Sequence, residues 1–182
     1  GGGVLMNQSI HSIDLLQWLM GPVKTIYAFT DTLVHKMETE DIAVAVLRFA
    51  SGALGTINAT TGAYPGVSTR IEVCGDRGSA IIENDRLGFL YSANEESGEV
   101  GAYGASPRKI REAFQQKQEQ GGTASDPAAL AATTHALQIA DMLRAIREDG
   151  TPLLDGYGAR HPVEIILGVY ESARTGKEVH LS

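Results

Sequence analysis

Ile42-Ala43-Val44-Ala45-Val46-Leu47-Arg48-Phe49 is the stretch on which the fold turns. It is apolar at nearly every position and rich in β-branched residues. Such a run predicts a central strand covered on both sides. Ser51-Gly52 follows as a compact hairpin turn into a second strand, Ala53–Thr61. Upstream, Val23–Leu33 carries Ile26, Tyr27 and Phe29 and reads as a strand. Downstream, Thr69–Cys74 and Ser79–Glu83 form a hairpin through Gly75-Asp76-Arg77-Gly78. Asn84-Asp85-Arg86 then turns into Leu87–Tyr91. Connections this short require a mainly antiparallel sheet.

Helices stand at either end of this meander. Residues 8–20 repeat apolar side chains at Ile10, Ile13, Leu16 or Trp18, and Met20, close to the helical period. Asn7 or Ser9 can cap the start, Gly21-Pro22 stops the helix, and Trp18 is expected in the core. Residues 94–108 form a polar, glycine-bearing loop, and 109–119 are helix-competent. A long helix is expected from Pro127 to Glu148 or Asp149, and a last one over Pro162–Thr175, ended by Gly176. Val179–Leu181 can add an edge strand. Strands bunched together with helices at the ends define an α+β fold. We expect a large open sheet with its helices packed on one face. The small, flat residues Gly55, Thr56, Asn58, Ala59, Thr60 and Thr61 suggest that the other face is a homo-oligomer surface.

With 182 residues the chain suits one domain, or a large domain with a small appendage. A formal net charge of -7 argues against a nucleic-acid partner, which calls for a cationic face. No apolar run approaches a membrane span, and the opening residues Gly1-Gly2-Gly3-Val4-Leu5 contain no basic n-region, so no signal peptide is expected in them. The single cysteine, Cys74, lies in a strand-like run and reads as a buried, inert thiol. A lone cysteine fits the cytoplasm. No zinc-ligand spacing occurs, so no metal site is expected. There is no G-x-G-x-x-G after a strand and no phosphate-binding loop. Three glycines running straight into an apolar segment read like a cut through a longer protein.

The candidate chemistry lies on the first helix. Asn7 and His11 are one turn apart, and Asp14 is within reach of His11. A histidine suits proton transfer from an alcohol near neutral pH. The plainer alternative is a surface histidine paired locally with Asp14. His135, Gln138 and Asp141 share a face of the long helix, either as a substrate contact or as a structural polar cluster. Tyr103 and Arg108 lie in the long loop, where residues often meet ligands.

Gly2-Gly3-Val4-Leu5-Met6-Asn7-Gln8-Ser9-Ile10-His11-Ser12-Ile13-Asp14 is similar to the G-G-x-L-x-D-x-G-x-H-x-x-D segment that opens the C-terminal domain of the glucose–fructose oxidoreductase / inositol dehydrogenase / rhizopine-catabolism family. Downstream, His135-x-x-Gln138-x-x-Asp141, Gly150-x-Pro152, Asp155-Gly156 and Glu171-Ser172-Ala173-x-x-Gly176-Lys177-x-Val179 resemble the family's closing helices and terminal strand. The resemblance implies that residues 1–182 are a C-terminal substrate-binding and oligomerisation domain. The Rossmann domain that binds NAD or NADP would lie outside this chain, together with the family's Glu-Lys-Pro lysine. It implies hydride transfer between the nicotinamide and a sugar, cyclitol or related polyol, with His11 handling the hydroxyl proton. Asn7 stands where many members have aspartate, and an amide is no base, so it would orient a hydroxyl and leave the chemistry to His11. Ser9 stands where many have glycine. Asp14 would set the His11 tautomer. Asn7, Asp14, Tyr103, Arg108 and His135 are thus the expected substrate contacts, and the chain alone would be inactive. The alternative is a non-catalytic sugar-binding or scaffolding domain of the same fold, which the Asn7 departure favours.

Overall fold

The structure is a computed structural model that describes residues 2–84, 86–92 and 132–182. It divides into two compact units, Gly1–Val67 with Asp149–Ser182, and Ser68–Glu148. A π-helical turn, Leu5–Ser9, runs directly into helix α1, Ile10–Met20. Strands β1 (Val23–Asp31), β2 (Ile42–Phe49) and β3 (Leu54–Thr60) follow. The second unit holds β4 (Arg70–Gly75), β5 (Gly78–Glu83), β6 (Arg86–Ser92) and helix α2 (Ala132–Arg147). The chain returns to the first unit with α3, Arg160–Thr175, and β7, Val179–His180.

The order is α+β with antiparallel pairing, as the short connections require. Among the described residues the strands form two sheets, β3-β2-β1-β7 and β4-β5-β6, where the sequence suggested one large sheet. The link between them, 61–69, carries Gly62, Pro65 and Gly66, which do not sustain a ladder.

In the first unit the core lies on one face of the four-stranded sheet. The register pairs Ile26 with Leu47, Ala28 with Ala45, Ala45 with Ile57, and Ala43 with Ala59, and all are buried. Ile13 of α1 and Ile165, Ile166 and Val169 of α3 close this face. At the edge, β7 pairs only with Thr25 and Ile26. Farther along, the Ala28 N–H donates to the buried Ser172 Oγ at 3.0 Å, and that hydroxyl donates to the Lys177 carbonyl at 2.7 Å. One serine thus satisfies an edge donor and ties down the turn after α3. Gly176 ends α3 at φ 65°, a left-handed conformation that favours glycine.

Three expectations about burial need correction. The central strand β2 is covered on one face only. Ala43, Ala45, Leu47 and Phe49 are buried, whereas Val44 and Val46 are exposed with Tyr27 and Phe29. An all-apolar run does not distinguish a strand sandwiched between helices from one covered on a single face. Trp18 is 77% exposed rather than in the core. It is five residues beyond the buried Ile13, which at about 100° per residue turns it about 140° away from the inward line. Cys74 is exposed, not buried. Strand alternation puts it on the outer face with Arg70 and Glu72, and its thiol approaches Glu72 Oε1 at 3.7 Å.

Strand β1 ends at Asp31 rather than Leu33, because the segment that follows wraps around Asp41. The expected loop over 94–108 and the expected helical segment over 109–119 lie outside the described residues.

A candidate active-site face on the first helix

The helix begins earlier than its apolar repeat predicts, and the cause is distant in sequence. Neither Asn7 nor Ser9 caps it; no side-chain cap bond forms at Ser9. Glu40, at the root of β2, does the work instead. Its backbone carbonyl accepts the Val4 N–H at 3.0 Å, and its Oε1 accepts the Leu5 N–H at 3.0 Å. Both donors would otherwise lack partners at a helix start, and a carboxylate suits the positive end of the helix. Tyr170 of α3 donates its hydroxyl to the same Oε1 at 2.9 Å. Gly3 is required beside it, since any Cβ there would overlap Glu40. Burial first, and the Glu40 contact second, push the Tyr170 phenol well above its ordinary range, so it remains a donor.

Above this anchor, the Asn7 N–H donates to the Gly3 carbonyl at 3.1 Å, and the chain enters α1. Asn7 and His11 are exposed and Asp14 is half-buried. Among the described residues, no group forms a hydrogen bond or ion pair with the side chains of Asn7, His11 or Asp14. The local His11–Asp14 pair allowed by the spacing is therefore not made. Leu15 and Trp18 continue the exposed line beyond His11 at helical spacing. The arrangement presents an imidazole and a carboxamide to the outside on one helical turn. An imidazole can take up or release a proton near neutral pH, and a carboxamide can orient a hydroxyl.

Asp41 organises the neighbouring segment. It is fully buried. Its carboxylate accepts the N–H groups of Leu33 at 2.8 Å, Val34 at 2.8 Å and His35 at 2.7 Å. His35 Nδ1 lies at 3.3 Å. The backbone bonds from His35 and Leu33 lead, against the opposing effect of burial, in holding this carboxyl at about 2. Glu40, Asp41 and Tyr170 were not singled out by sequence reasoning. The signal available was an acidic pair placed immediately before the most apolar strand, where an unpaired charge would be costly.

Of the other expected contacts, Tyr103 and Arg108 lie outside the described residues. His135 falls in the first turn of α2, in the second unit, and its side chain lies outside them as well. Asp141, on the same helix, accepts from Arg144 Nη2 at 2.7 Å.

The α+β order and the motif at the first helix resemble oxidoreductase C-terminal domains, and comparison with known proteins agrees. Residues 1–81 match the family model described as the GFO/IDH/MocA C-terminal domain. Residues 1–81 are thus similar to the C-terminal domain of the GFO/IDH/MocA oxidoreductases, in agreement with the resemblance seen in the chain's motifs. It is 34% identical over 107 residues to a myo-inositol 2-dehydrogenase of Thermotoga maritima, covering 56% of this chain and 32% of that protein. It is 38% identical over 90 residues to the uncharacterized oxidoreductase YrbE of Bacillus subtilis, covering 47% of this chain and 26% of that protein. The chain therefore matches about a third or less of these relatives' length. The WlbA dehydrogenase from Bordetella pertussis, solved in complex with NADH and UDP-GlcNAcA, superimposes with a TM-score of 0.75 at 28% identity. The superposition covers 100% of this chain and 46% of that one.

Proposed function

We propose that this chain is the substrate-binding and subunit-pairing part of an NAD(P)-dependent oxidoreductase. The enzyme would move a hydride between the nicotinamide and a sugar, cyclitol or related polyol. The observation that carries the reading is the exposed Asn7–His11 turn, which lies within the segment matched to the family and makes no polar side-chain contact among the described residues. His11 accepts the substrate's hydroxyl proton as the C–H bond gives up its hydride, or returns it in the reverse direction. Asn7 orients a hydroxyl. Asp14 is the group able to fix the His11 tautomer once the two side chains turn toward each other. Tyr103, Arg108 and His135 are assigned to the substrate side.

The dinucleotide is held chiefly by a domain outside this chain, since the sequence has no glycine-rich phosphate cradle. When bound, the nicotinamide supplies the hydride acceptor. The chain by itself is inactive. Residues 1–182 act as one C-terminal domain in this reading, with copies joined through the open face of the four-stranded sheet. A cytoplasmic setting fits the single cysteine. Among the described residues no helix is long and apolar enough to cross a membrane.

The test is His11→Ala in the full-length protein, assayed with NAD⁺ and NADP⁺ against a panel of cyclitols, aldoses and sugar derivatives. We expect kcat to fall about 10²–10⁴-fold, the usual range for loss of a general base, with substrate binding retained. Reduction of NAD⁺ by the isolated 182-residue chain would contradict the division of labour. No turnover by the unmutated protein across the panel would favour a non-catalytic binding domain.

A further inference from the structure

Asn7 and His11 receive no polar support of their own from the described residues, so their direction is set by the backbone that carries them. That backbone is fixed at one point. Glu40 Oε1 receives both the Leu5 N–H, at 3.0 Å, and the Tyr170 hydroxyl, at 2.9 Å. The Glu40 carbonyl receives the Val4 N–H at 3.0 Å. Three segments far apart in sequence thus converge at the root of the turn that bears Asn7. Val4 and Leu5 are already buried at 2% and 0%, so apolar packing secures the segment in the core. Packing is non-directional, however, and does not fix how far a short helical turn is rotated. Hydrogen bonds to a single oxygen do.

We propose that Glu40 and Tyr170 are positioning residues that aim Asn7 and His11; the proposal rests on the proton-handling role given to His11 above. Neither group touches the reacting atoms. Glu40 fixes the height and rotation of the π-helical turn, and Tyr170 fixes Glu40 against α3. Because both side-chain bonds end on Oε1, a glutamine presenting its carbonyl oxygen there can preserve them. An alanine cannot.

The experiment compares Glu40→Ala, Glu40→Gln, Tyr170→Phe and His11→Asn with the wild type in the full-length protein. Hydrogen exchange of the amides of residues 4–11 requires no substrate. Kinetics use NAD⁺ or NADP⁺ with any polyol of the panel that is turned over. Glu40→Ala is expected to speed exchange in this segment about tenfold while leaving β1–β3 unchanged. It is expected to lower kcat about 10–100-fold, as misplacement by about an ångström can, with little change in KM. Glu40→Gln is expected to stay near wild type in both. Unchanged exchange in Glu40→Ala overturns the proposal. So does faster exchange with wild-type kcat when His11→Asn is inactive. If His11→Asn keeps its kcat, the proton-handling reading falls, and the exchange measurement alone decides whether Glu40 positions the turn. Should Glu40→Ala fail to fold, Tyr170→Phe decides. A smaller fall in kcat with faster exchange supports the role, and wild-type values in both overturn it.

Discussion

The two faces of the four-stranded sheet are built from alternate residues of the same strands, yet they end in different states. On one face, Ile26, Ala28, Ala45, Leu47 and Ile57 lie beneath α1 and α3. On the other, Phe29 is 65% exposed and Val46 53% exposed, and the Tyr27 and Phe29 rings meet edge-to-face at 5.4 Å between centroids. The closed face alternates alanines (Ala28, Ala43, Ala45, Ala59) with the large Ile26, Leu47, Phe49 and Ile57, whereas the open face sets Tyr27, Phe29, Val44 and Val46 beside the smaller Thr56, Asn58 and Thr60. An open face of aromatic and β-branched residues is costly to leave in water and is the usual mark of a protein contact. The contrast shows that a strand apolar at nearly every position can commit only one face to the domain's own core.

The most direct way to break the contrast is to cut into the closed face. Ile166 is 0% exposed, and Ile166→Ala should cost about 2–5 kcal/mol in folding stability. Thermal or denaturant unfolding measures it, and a loss below about 1 kcal/mol would mean that this face is not the core it resembles.

A smaller effect is expected at Asp41, where the first unit buries a charge rather than a methyl group. Asp41→Asn keeps one acceptor oxygen but turns an N–H-bearing group toward backbone donors, so Tm should fall by less than with Ile166→Ala. The sign of the pH dependence follows from the depressed carboxyl. Its contribution is fully present above the ordinary carboxylate range and is lost as pH falls toward about 2. The wild type should therefore lose stability across that acid window more steeply than Asp41→Asn. Parallel acid-unfolding curves would remove Asp41 as the cause.

Much of this was legible in the sequence. An unbroken apolar run marks β2 at its observed limits, and a near-3.6 repeat marks α3, because local propensity and burial agree there. The helix-end signal at Gly176 was also readable. The reading failed where partners are remote. Glu40 lies 35 residues from the Leu5 N–H that it caps and 130 from Tyr170. No local window contains such a bond, so the helix start was placed too late and its supports were missed. Trp18 and Cys74 failed for another reason. Their residue type suggested burial, but helical and strand phase put them outside. The Asn7–His11 turn, the proposed site, could be picked out from a motif, whereas the Glu40–Tyr170 anchor beneath it could not.

The subtlest prediction concerns the open face. Phe29→Lys and Val44→Lys replace apolar side chains that are 65% and 44% exposed, so each should alter the folding stability of the separated domain by no more than about 0.5 kcal/mol. The same changes should have a much larger effect on self-association. A lysine pair introduced opposite itself at a two-fold interface places like charges together and must be desolvated. In the full-length protein, analytical ultracentrifugation should show the wild type as an oligomer and Phe29→Lys/Val44→Lys as a lighter species with an unchanged near-UV spectrum. If the double variant keeps its mass, subunits pair elsewhere, and the open face is covered by something other than a second copy. If it unfolds instead, the two faces are not separable, and the open one contributes to the fold itself.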